Sequence, residues 1–204
     1  MISIIDYGLG NLTSVAGAIA KVGFTGTITA DPDDLAKCEK LILPGVGAYP
    51  EGMANLNARG LADVLNRLVI GERIPILGIC LGFQLLGSES SEFTRTKGLG
   101  WIDAPVTRLT PDDDALRLPH VGWNDVRQHG DCILFDGIPD EALFYFVHEF
   151  RLDSPPADTV VGTCDYGGRF VAAVQRGNVF GTQFHPEKSQ QHGLALLRNF
   201  LEKA

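Results

Sequence analysis

Basic residues are scarce in this chain, and long apolar runs are missing. Its 204 residues include 17 Lys and Arg against 25 Asp and Glu, which gives a formal net charge of −8 at pH 7. Nucleic acids and anionic membranes bind through clusters of cations, so neither is expected as a partner. No stretch comes near the roughly 18 apolar residues of a membrane span, and no signal peptide is recognisable. We therefore expect a cytoplasmic protein.

Cysteines are few as well, and they lie far apart in the sequence. The four are Cys38, Cys80, Cys132 and Cys164, with no CxxC pair among them. Zinc knuckles need closely spaced cysteine pairs, and disulfide frameworks need several cysteines in a short chain, so the pattern predicts neither, and we expect no metal and no cofactor. Reduced thiols are the default in a cytosolic protein. Each cysteine is then either a small core residue or a reactive thiol.

Short apolar runs alternate with helical patterns in the first half of the chain. The runs ISIID, GTITA, KLILPG and IPILGI are predicted to be strands. Helices are predicted at NLTSVAGAIAKVG, just after Asp31-Pro32, and over residues 51–70 as one long amphipathic helix. Apolar strands that alternate with helices are typical of a parallel sheet covered on both faces.

The second half of the chain contains mainly strand patterns. The candidates are APVTRL, WNDV, CILF, ALFYFVHEF, TVVGTCDY, RFVAAVQ and NVFGTQF. The turns YGGR and QRGN are typical of hairpins, and the chain ends in an amphipathic helix. We therefore predict an α/β fold: an open, mostly parallel sheet with helices on both faces and a mixed or antiparallel portion in the C-terminal half. No linker is recognisable, so we expect a single domain over residues 1–204.

The most informative cysteine is Cys80, which lies between two glycines in Gly78-Ile79-Cys80-Leu81-Gly82. A predicted strand ends there and a helical pattern begins. This is the arrangement of a nucleophile elbow, in which small flanking residues let the backbone turn sharply. The N-terminus of the following helix favours a thiolate, and the Leu81 amide would point towards an oxyanion. Taken alone, Cys80 remains either a core residue or a nucleophile.

A thiol nucleophile needs a base, and His185 is the histidine that best fits this role. It ends the run NVFGTQF and is followed by Pro186 and Glu187. In an extended segment the side chains of residues i and i+2 project to the same side, so Glu187 can orient the imidazole. Separately, His185 is a polar strand end and Glu187 a solvated acid. Together with an elbow cysteine they predict a catalytic triad.

Two glycine-rich segments follow predicted strands. LPGVGAYPEG can offer backbone N–H groups to an anion at the sheet edge where ligands bind in open α/β folds, although proline and glycine after a strand usually only form a turn. GLGNLT begins like a dinucleotide-binding fingerprint, but Thr13 occupies the third glycine position. For GLGNLT we favour a tight turn that caps the first helix.

These motifs resemble a known family. GICLGFQLL and FHPEKS are similar to the class I, triad-type glutamine amidotransferases. Within that family, DYGLGN, LPGVGAY, HVGWN, YFVHEF and GTQFHPEKSQ resemble the glutaminase subunits of imidazole glycerol phosphate synthase. The motifs extend from Asp6 to Gln190, so the resemblance covers nearly the whole chain and implies one glutamine amidotransferase domain.

The resemblance implies hydrolysis of L-glutamine to glutamate and ammonia. Cys80 would attack the side-chain amide carbon, and His185, oriented by Glu187, would protonate the leaving ammonia and then activate water. The remaining positions assigned to the oxyanion or the substrate are Gly45, Val46, Gly47, Leu81, Gln84, Glu92, Glu149 and Phe150. Glu149 and Phe150 replace a small polar residue and a tyrosine. A carboxylate so close would disfavour the thiolate unless it points away.

The resemblance also implies a partner. The chain would form a heterodimer with the cyclase/synthase subunit of imidazole glycerol phosphate synthase, which uses the ammonia in histidine biosynthesis to make imidazole glycerol phosphate and aminoimidazole carboxamide ribotide. Positions that match the interface are Trp123, Asn124, Tyr145 and Lys188. One alternative is another triad amidotransferase, such as the glutaminase of pyridoxal phosphate synthesis, in which a GWN segment is not expected. A second is a non-catalytic interaction subunit, against which an intact Cys80, His185 and Glu187 argue.

Overall fold

The computed structural model describes residues 1–113 and 115–204. The strands are β1 Ile2–Ile5, β2 Gly26–Thr29, β3 Lys40–Gly45, β4 Ile76–Cys80, β5 Glu89–Ser90, β6 Thr96–Lys97, β7 Pro105–Arg108, β8 His120–Gln128, β9 Ala142–His148, β10 Phe150–Leu152, β11 Val160–Asp165, β12 Arg169–Arg176 and β13 Val179–Thr182. The α-helices are α1 Leu12–Lys21, α2 Pro32–Leu35, α3 Tyr49–Ala58, α4 Leu61–Asn66, α5 Leu81–Leu85 and α6 Gln190–Lys203.

A nine-stranded sheet in the order β2-β1-β3-β4-β13-β12-β11-β8-β9 organises the molecule. Its first five strands run parallel to one another, and the pairings from β13 to β9 are antiparallel. A small sheet in the order β10-β7-β5-β6 lies beside it. The predicted α/β fold, with a parallel first half and an antiparallel portion in the C-terminal half, is confirmed.

The sheet carries a separate apolar core on each face. On one face, α1 and α6 contribute buried residues such as Ile19 and Phe200. On the other face, α3, α4 and α5 contribute residues such as Leu56, Leu65 and Phe83. Because both faces are covered, the central parallel strands are apolar along their whole length, as β4 is. No helix in the described residues is long and apolar enough to cross a membrane.

Two sequence predictions of local structure are wrong. The helix expected over residues 51–70 is interrupted at Gly60, whose φ of +66° is left-handed, and it continues as α4 and then as the π-helix Arg67–Gly71. The prediction failed because the apolar periodicity continues past Gly60, although Gly60 ends the first helix. The run CILF forms the 3₁₀-helix Ile133–Phe135 instead of a strand, because Leu134 and Phe135 are buried in the core and the Asn199 side chain of α6 donates to the Leu134 and Asp136 carbonyls.

The glycine-rich turn after β1 caps the first helix, as predicted. Gly8 and Gly10 have φ values of +91° and +120°. The Gly8 amide donates to Asp6 Oδ1 at 2.9 Å, and the Asn11 side chain accepts from the Ser14 amide at 3.2 Å. These contacts are those of a tight turn followed by a helix N-cap.

Candidate active site

The site forms where the adjacent parallel strands β3, β4 and β13 end. In the sheet register Gly45 of β3 lies opposite Cys80 of β4, and Thr182 of β13 lies opposite Ile79. The chain leaves β13 through Gln183 and Phe184 and reaches His185. The sheet therefore delivers the cysteine, the glycine loop and the histidine to one edge, which is where open α/β folds bind ligands.

Cys80 occupies a strained turn between β4 and α5. Its φ is +54° and its ψ −108°, a conformation that a non-glycine residue rarely adopts. A side chain at Gly78 would place Cβ 2.8 Å from the Gly82 carbonyl oxygen, and one at Gly82 would overlap the Leu43 carbonyl oxygen. Only hydrogen fits at either position, so the two glycines are required for the backbone to double back at Cys80.

His185 and Glu187 form a buried pair. His185 Nδ1 lies 2.8 Å from Glu187 Oε1, and the two side chains are 3% and 2% exposed. The His185 amide donates to the Tyr145 carbonyl at 2.9 Å, and its carbonyl accepts from the Ser189 hydroxyl. His185 Nε2 has no hydrogen-bond partner in the described part of the chain. One ring nitrogen is therefore fixed by Glu187 and the other is free to act.

The pKa of His185 reflects opposing influences. Burial alone would lower it, but Cys80 and Glu187 both favour the protonated ring and together raise the pKa to about 9. A cysteine beside a cationic histidine is the arrangement that produces a reactive thiolate.

A cavity of about 280 Å³ opens beside Cys80. Its lining residues are Val46, Gly47, Cys80, Leu81, Gln84, Glu92, Val147, His148, Glu149 and Phe150. Apart from Gly45, every residue that the sequence assigned to the oxyanion or the substrate is in this lining. Gly45 lies just behind it, where an added Cβ would be 2.9 Å from the Leu81 Cβ.

Gln84 is held by two partners. Its Nε2 donates to the Phe150 carbonyl at 2.9 Å and to Gln183 Oε1 at 3.2 Å. Gln183, which is fully buried, places its own Nε2 3.9 Å from Cys80 Sγ. Gln183 is not among the residues that the motifs predicted for the site. It lies two residues before His185 at the end of a strand pattern, and this spacing could have indicated it.

The two acidic residues of the lining have different surroundings. Glu92 Oε2 accepts a hydrogen bond from the Tyr49 amide at 2.8 Å, so its carboxylate caps α3 next to the glycine loop. Glu149 Oε1 accepts from Arg108 Nε at 2.7 Å. The Glu149 carboxylate is therefore paired with Arg108. Because Arg108 offsets its charge, Glu149 need not disfavour a thiolate at Cys80.

Of the predicted interface residues, Trp123, Tyr145 and Lys188 lie close together on one surface, and Asn124 is on the opposite face of β8. Trp123 of β8 is 45% exposed and lies opposite Tyr145 of β9, with ring centroids 6.0 Å apart. Lys188 Nζ lies 5.8 Å from the Tyr145 ring centroid. Asn124 Nδ2 donates to the Asp165 carbonyl at 2.8 Å. Val121 and Leu143 are also exposed on these strands, which gives the surface an apolar character that the sequence analysis did not anticipate.

A larger cavity of about 560 Å³ lies elsewhere, against Arg151, Asp153 and Arg169. None of the predicted catalytic residues lines it. Within residues 1–113 and 115–204, no cluster of three or more His, Cys, Asp or Glu side chains is arranged to hold a metal ion. The chemistry suggested by the sequence is therefore concentrated at the smaller cavity.

Comparison with known proteins places this geometry in a family. The family model described as glutamine amidotransferase class-I matches residues 3–204. A relative from Caulobacter vibrioides, named imidazole glycerol phosphate synthase subunit HisH, is 46% identical, with 98% of this chain and 97% of the relative covered. A second from Methanococcus maripaludis, named imidazole glycerol phosphate synthase subunit HisH 2, is 44% identical over the full length of both chains.

Solved structures agree on the fold. A crystal structure of a glutamine amidotransferase aligns with a TM-score of 0.77 at 20% identity, covering 98% of this chain and 97% of the other. The structure of PurLQS from Thermotoga maritima aligns with the same TM-score and identity, covering 98% and 96%. From the family model and the full-length relatives, the chain belongs to the class-I glutamine amidotransferases, in the group of imidazole glycerol phosphate synthase HisH subunits.

Proposed function

We propose that this chain, as a single domain, hydrolyses L-glutamine to glutamate and ammonia through a Cys80, His185 and Glu187 triad. The observation that carries the proposal is that Cys80, on its strained turn in the lining of the 280 Å³ cavity, acts on the buried His185, whose Nδ1 is fixed by Glu187 at 2.8 Å. A nucleophile, a base and an orienting acid in this order are the groups that acyl transfer requires.

In the proposed reaction the Cys80 thiolate attacks the side-chain amide carbon of glutamine. The carbon–nitrogen bond then breaks, His185 donates its proton to the leaving ammonia, and a glutamyl thioester remains on Cys80. His185, again neutral, takes a proton from water, which attacks the thioester. Glutamate leaves, and the Cys80 thiolate and the His185 imidazolium are restored. Glu187 stays ionised throughout and stabilises the imidazolium.

The cavity lining would hold the substrate around this centre. The Leu81 amide at the start of α5 and an amide of residues 45–47 would donate to the oxyanion. The lining also includes the Glu92 carboxylate, which supplies acceptor oxygens. Acceptors suit the ammonium group of glutamine. Backbone groups of Glu149 would complete the substrate contacts, since its carboxylate is engaged by Arg108.

We further propose that ammonia passes to the cyclase/synthase subunit of imidazole glycerol phosphate synthase in a cytoplasmic heterodimer. The relatives named for that synthase support this partner. The surface around Trp123, Tyr145 and Lys188 supports it as well, because exposed aromatic side chains are enriched where proteins associate. Direct transfer of ammonia between the two proteins, closed off from solvent, is also chemically favourable, because free ammonia in water at neutral pH is mostly protonated and would be lost to solvent.

The test measures glutamate release by the purified chain alone, and then with the synthase subunit and its nucleotide ligand. We expect slow hydrolysis alone and much faster hydrolysis with both. A Trp123→Ala variant should lose a large part of that stimulation while its basal rate is retained. Equal rates with and without the partner would refute the coupling, and no glutamate release under any condition would support a non-catalytic subunit.

A further inference from the structure

Two buried histidines that the proposed triad does not use lie beside the substrate cavity, on the face of β8 and β9 opposite Trp123 and Tyr145. His148 of β9 lines the cavity, and His120 of β8 lies opposite it in the sheet register. They are 5% and 2% exposed. His148 Nε2 and His120 Nδ1 are 3.0 Å apart, which is a direct hydrogen bond between the two rings.

The pair is extended by a hydrogen bond at each end. Towards the cavity, His148 Nδ1 lies 2.9 Å from the Phe150 carbonyl oxygen, which also accepts from Gln84. Towards the surface, His120 Nε2 lies 3.4 Å from Asn124 Nδ2. A continuous chain of four groups therefore runs from an expected partner-contact residue to the carbonyl beside an expected substrate-binding residue.

The fixed groups at the two ends determine the direction of every hydrogen bond. The Asn124 amide is oriented by its other contacts, because its Oδ1 accepts from the Asp125 amide at 3.0 Å and its Nδ2 donates to the Asp165 carbonyl. Asn124 Nδ2 can only donate, so His120 Nε2 is a bare acceptor and the hydrogen of that ring is on Nδ1. His120 Nδ1 then donates to His148 Nε2, and His148 Nδ1 carries the hydrogen that it donates to the Phe150 carbonyl. Both rings are consequently neutral and protonated on Nδ1.

The surroundings agree with neutral rings. Burial lowers the pKa of His120 to about 4, and burial, aided by the nearby His120 and His185, lowers the pKa of His148 to about 3. His120 lies between two aromatic rings, with centroids 4.0 Å from Tyr166 and 4.9 Å from Phe146. These rings restrict the imidazole to one orientation, so its nitrogens stay aligned with their partners.

We propose that His120 and His148 form a neutral, directionally ordered hydrogen-bond relay from Asn124 to the Phe150 carbonyl, and that both are positioning residues for glutamine binding. The proposal rests on the glutaminase function proposed above. The relay fixes the carbonyl at the short break between β9 and β10, where the cavity lining includes Glu149 and Phe150. A partner that shifted Asn124 would change the hydrogen bonds of the relay and, through them, the position of the Phe150 carbonyl beside the substrate.

The kinetic test uses two substitutions at His120. His120→Phe keeps an aromatic ring between Tyr166 and Phe146 but removes both nitrogens, leaving His148 Nε2 unpaired. His120→Asn keeps an amide donor near the position of Nδ1. Leaving a buried polar group unpaired costs about 1–3 kcal/mol, so His120→Phe should raise KM for glutamine roughly 5- to 100-fold, with a smaller change in kcat. His120→Asn should restore much of that loss.

A matched control is His129→Phe. His129 donates to or accepts from the Thr163 hydroxyl at 2.7 Å and lines the larger cavity instead of the catalytic one. Its substitution should leave KM unchanged. An unchanged KM in His120→Phe, or an equal rise in His120→Asn, would overturn the relay. Asn124→Ala and His120→Phe should also be non-additive in their effect on partner stimulation, and additive effects would contradict the coupling.

A second measurement on the unmodified protein keeps the proposal testable if His120→Phe does not fold. Long-range ¹⁵N–¹H correlation spectra distinguish the two neutral tautomers and the imidazolium. We expect the Nδ1–H tautomer at both His120 and His148 at neutral pH. The Nε2–H tautomer or an imidazolium at either ring would overturn the relay. The tautomers can be measured whether or not the protein is catalytically active. Failure of the proposed function would instead appear as no glutamate release by the unmodified protein.

Discussion

Two buried side-chain pairs that include histidine differ in their electrostatic properties: the His185–Glu187 pair, and the His120–His148 pair, whose His148 lines the Cys80 cavity. In the His185–Glu187 pair, the pKa of the histidine is raised to about 9. In the His120–His148 pair, the two pKa values are lowered to about 4 and about 3. All three rings are at least 95% buried, with exposures of 2%, 2% and 5%.

The difference shows that the partner of a buried histidine, more than its burial, decides its charge. Burial disfavours the imidazolium at all three rings, but only His185 has a carboxylate and a thiol beside it. His120 and His148 have each other, a carbonyl and an amide. Neutral partners fix orientation without offering charge, whereas Glu187 allows a proton to be held and released. The first environment suits acid–base catalysis and the second suits positioning.

The largest expected effect comes from giving His185 a neutral partner like those of His148. Glu187→Gln keeps the hydrogen-bond geometry but removes the charge, so burial should lower the pKa of His185 and destabilise the imidazolium. We expect kcat for glutamate release to fall by roughly 10²- to 10⁴-fold. Glu202→Gln, at an exposed position of α6, is the matched control. A loss of less than about ten-fold in Glu187→Gln would mean that Glu187 does not orient the base.

The next effect is on stability as a function of pH. The pKa of His185 is raised in the folded state above its ordinary 6.5, so its contribution is fully present below about pH 6.5 and is lost as the pH rises through about 9. The pKa values of His120 and His148 are lowered, so their contribution is present above about pH 6.5 and is lost as the pH falls towards 4 and 3.

Chemical denaturation of the protein from pH 5 to pH 9 measures both slopes. Relative to the unmodified protein, Glu187→Gln should flatten the decline on the alkaline side, and His120→Asn should flatten the decline on the acidic side. Identical pH dependence in the unmodified protein and both variants would show that the two environments do not differ as described.

A smaller effect should follow from uncovering His120. Tyr166→Ala removes the ring stacked at 4.0 Å, admits water, and should raise the pKa of His120 towards its ordinary value. The lost stacking should lower the free energy of unfolding by about 1 kcal/mol. Tyr166→Phe keeps the stack and loses only the hydroxyl bond to the Arg117 carbonyl, so it is the control. Titration of His120 by NMR at the same pKa in both variants would contradict this account of its burial.

The smallest effect concerns Glu149, an acidic residue in the lining of the cavity. Arg108→Met frees the Glu149 carboxylate beside the cavity, and that negative charge should disfavour the thiolate. The ion pair is largely exposed, so we expect stability to change by less than about 1 kcal/mol and kcat/KM to fall only about two- to five-fold. Glu149→Gln in the same background should restore the rate. An unrestored rate would place the effect of Arg108 elsewhere.

The parts of the fold and site that the sequence predicted are those with a local pattern. The apolar runs became β1, β3 and β4, and the closely spaced glycines around Cys80 predicted the turn between β4 and α5. The i, i+2 spacing of His185 and Glu187 also leaves a local signal, and their contact follows from it. For these features, the spacing of residues in the sequence was enough to predict the contact or turn seen in the structure.

The parts that could not be predicted depend on pairing between distant segments. His120 and His148 lie 28 residues apart, and their contact follows from the register of β8 with β9. Gln183 reaches Cys80 only because β13 lies beside β4. The helix break at Gly60 did have a local signal, but the apolar periodicity on either side of it concealed the break.

The central claim is that Cys80 releases ammonia from glutamine for use by a partner. The most direct test is the Cys80→Ala variant in complex with the synthase subunit, supplied with either glutamine or an ammonium salt. We predict no glutamine-dependent synthesis and no glutamate release, with ammonium-dependent synthesis at the rate of the unmodified complex. Glutamine-dependent synthesis at an unchanged rate would contradict the account, because it would remove Cys80 from the chemistry.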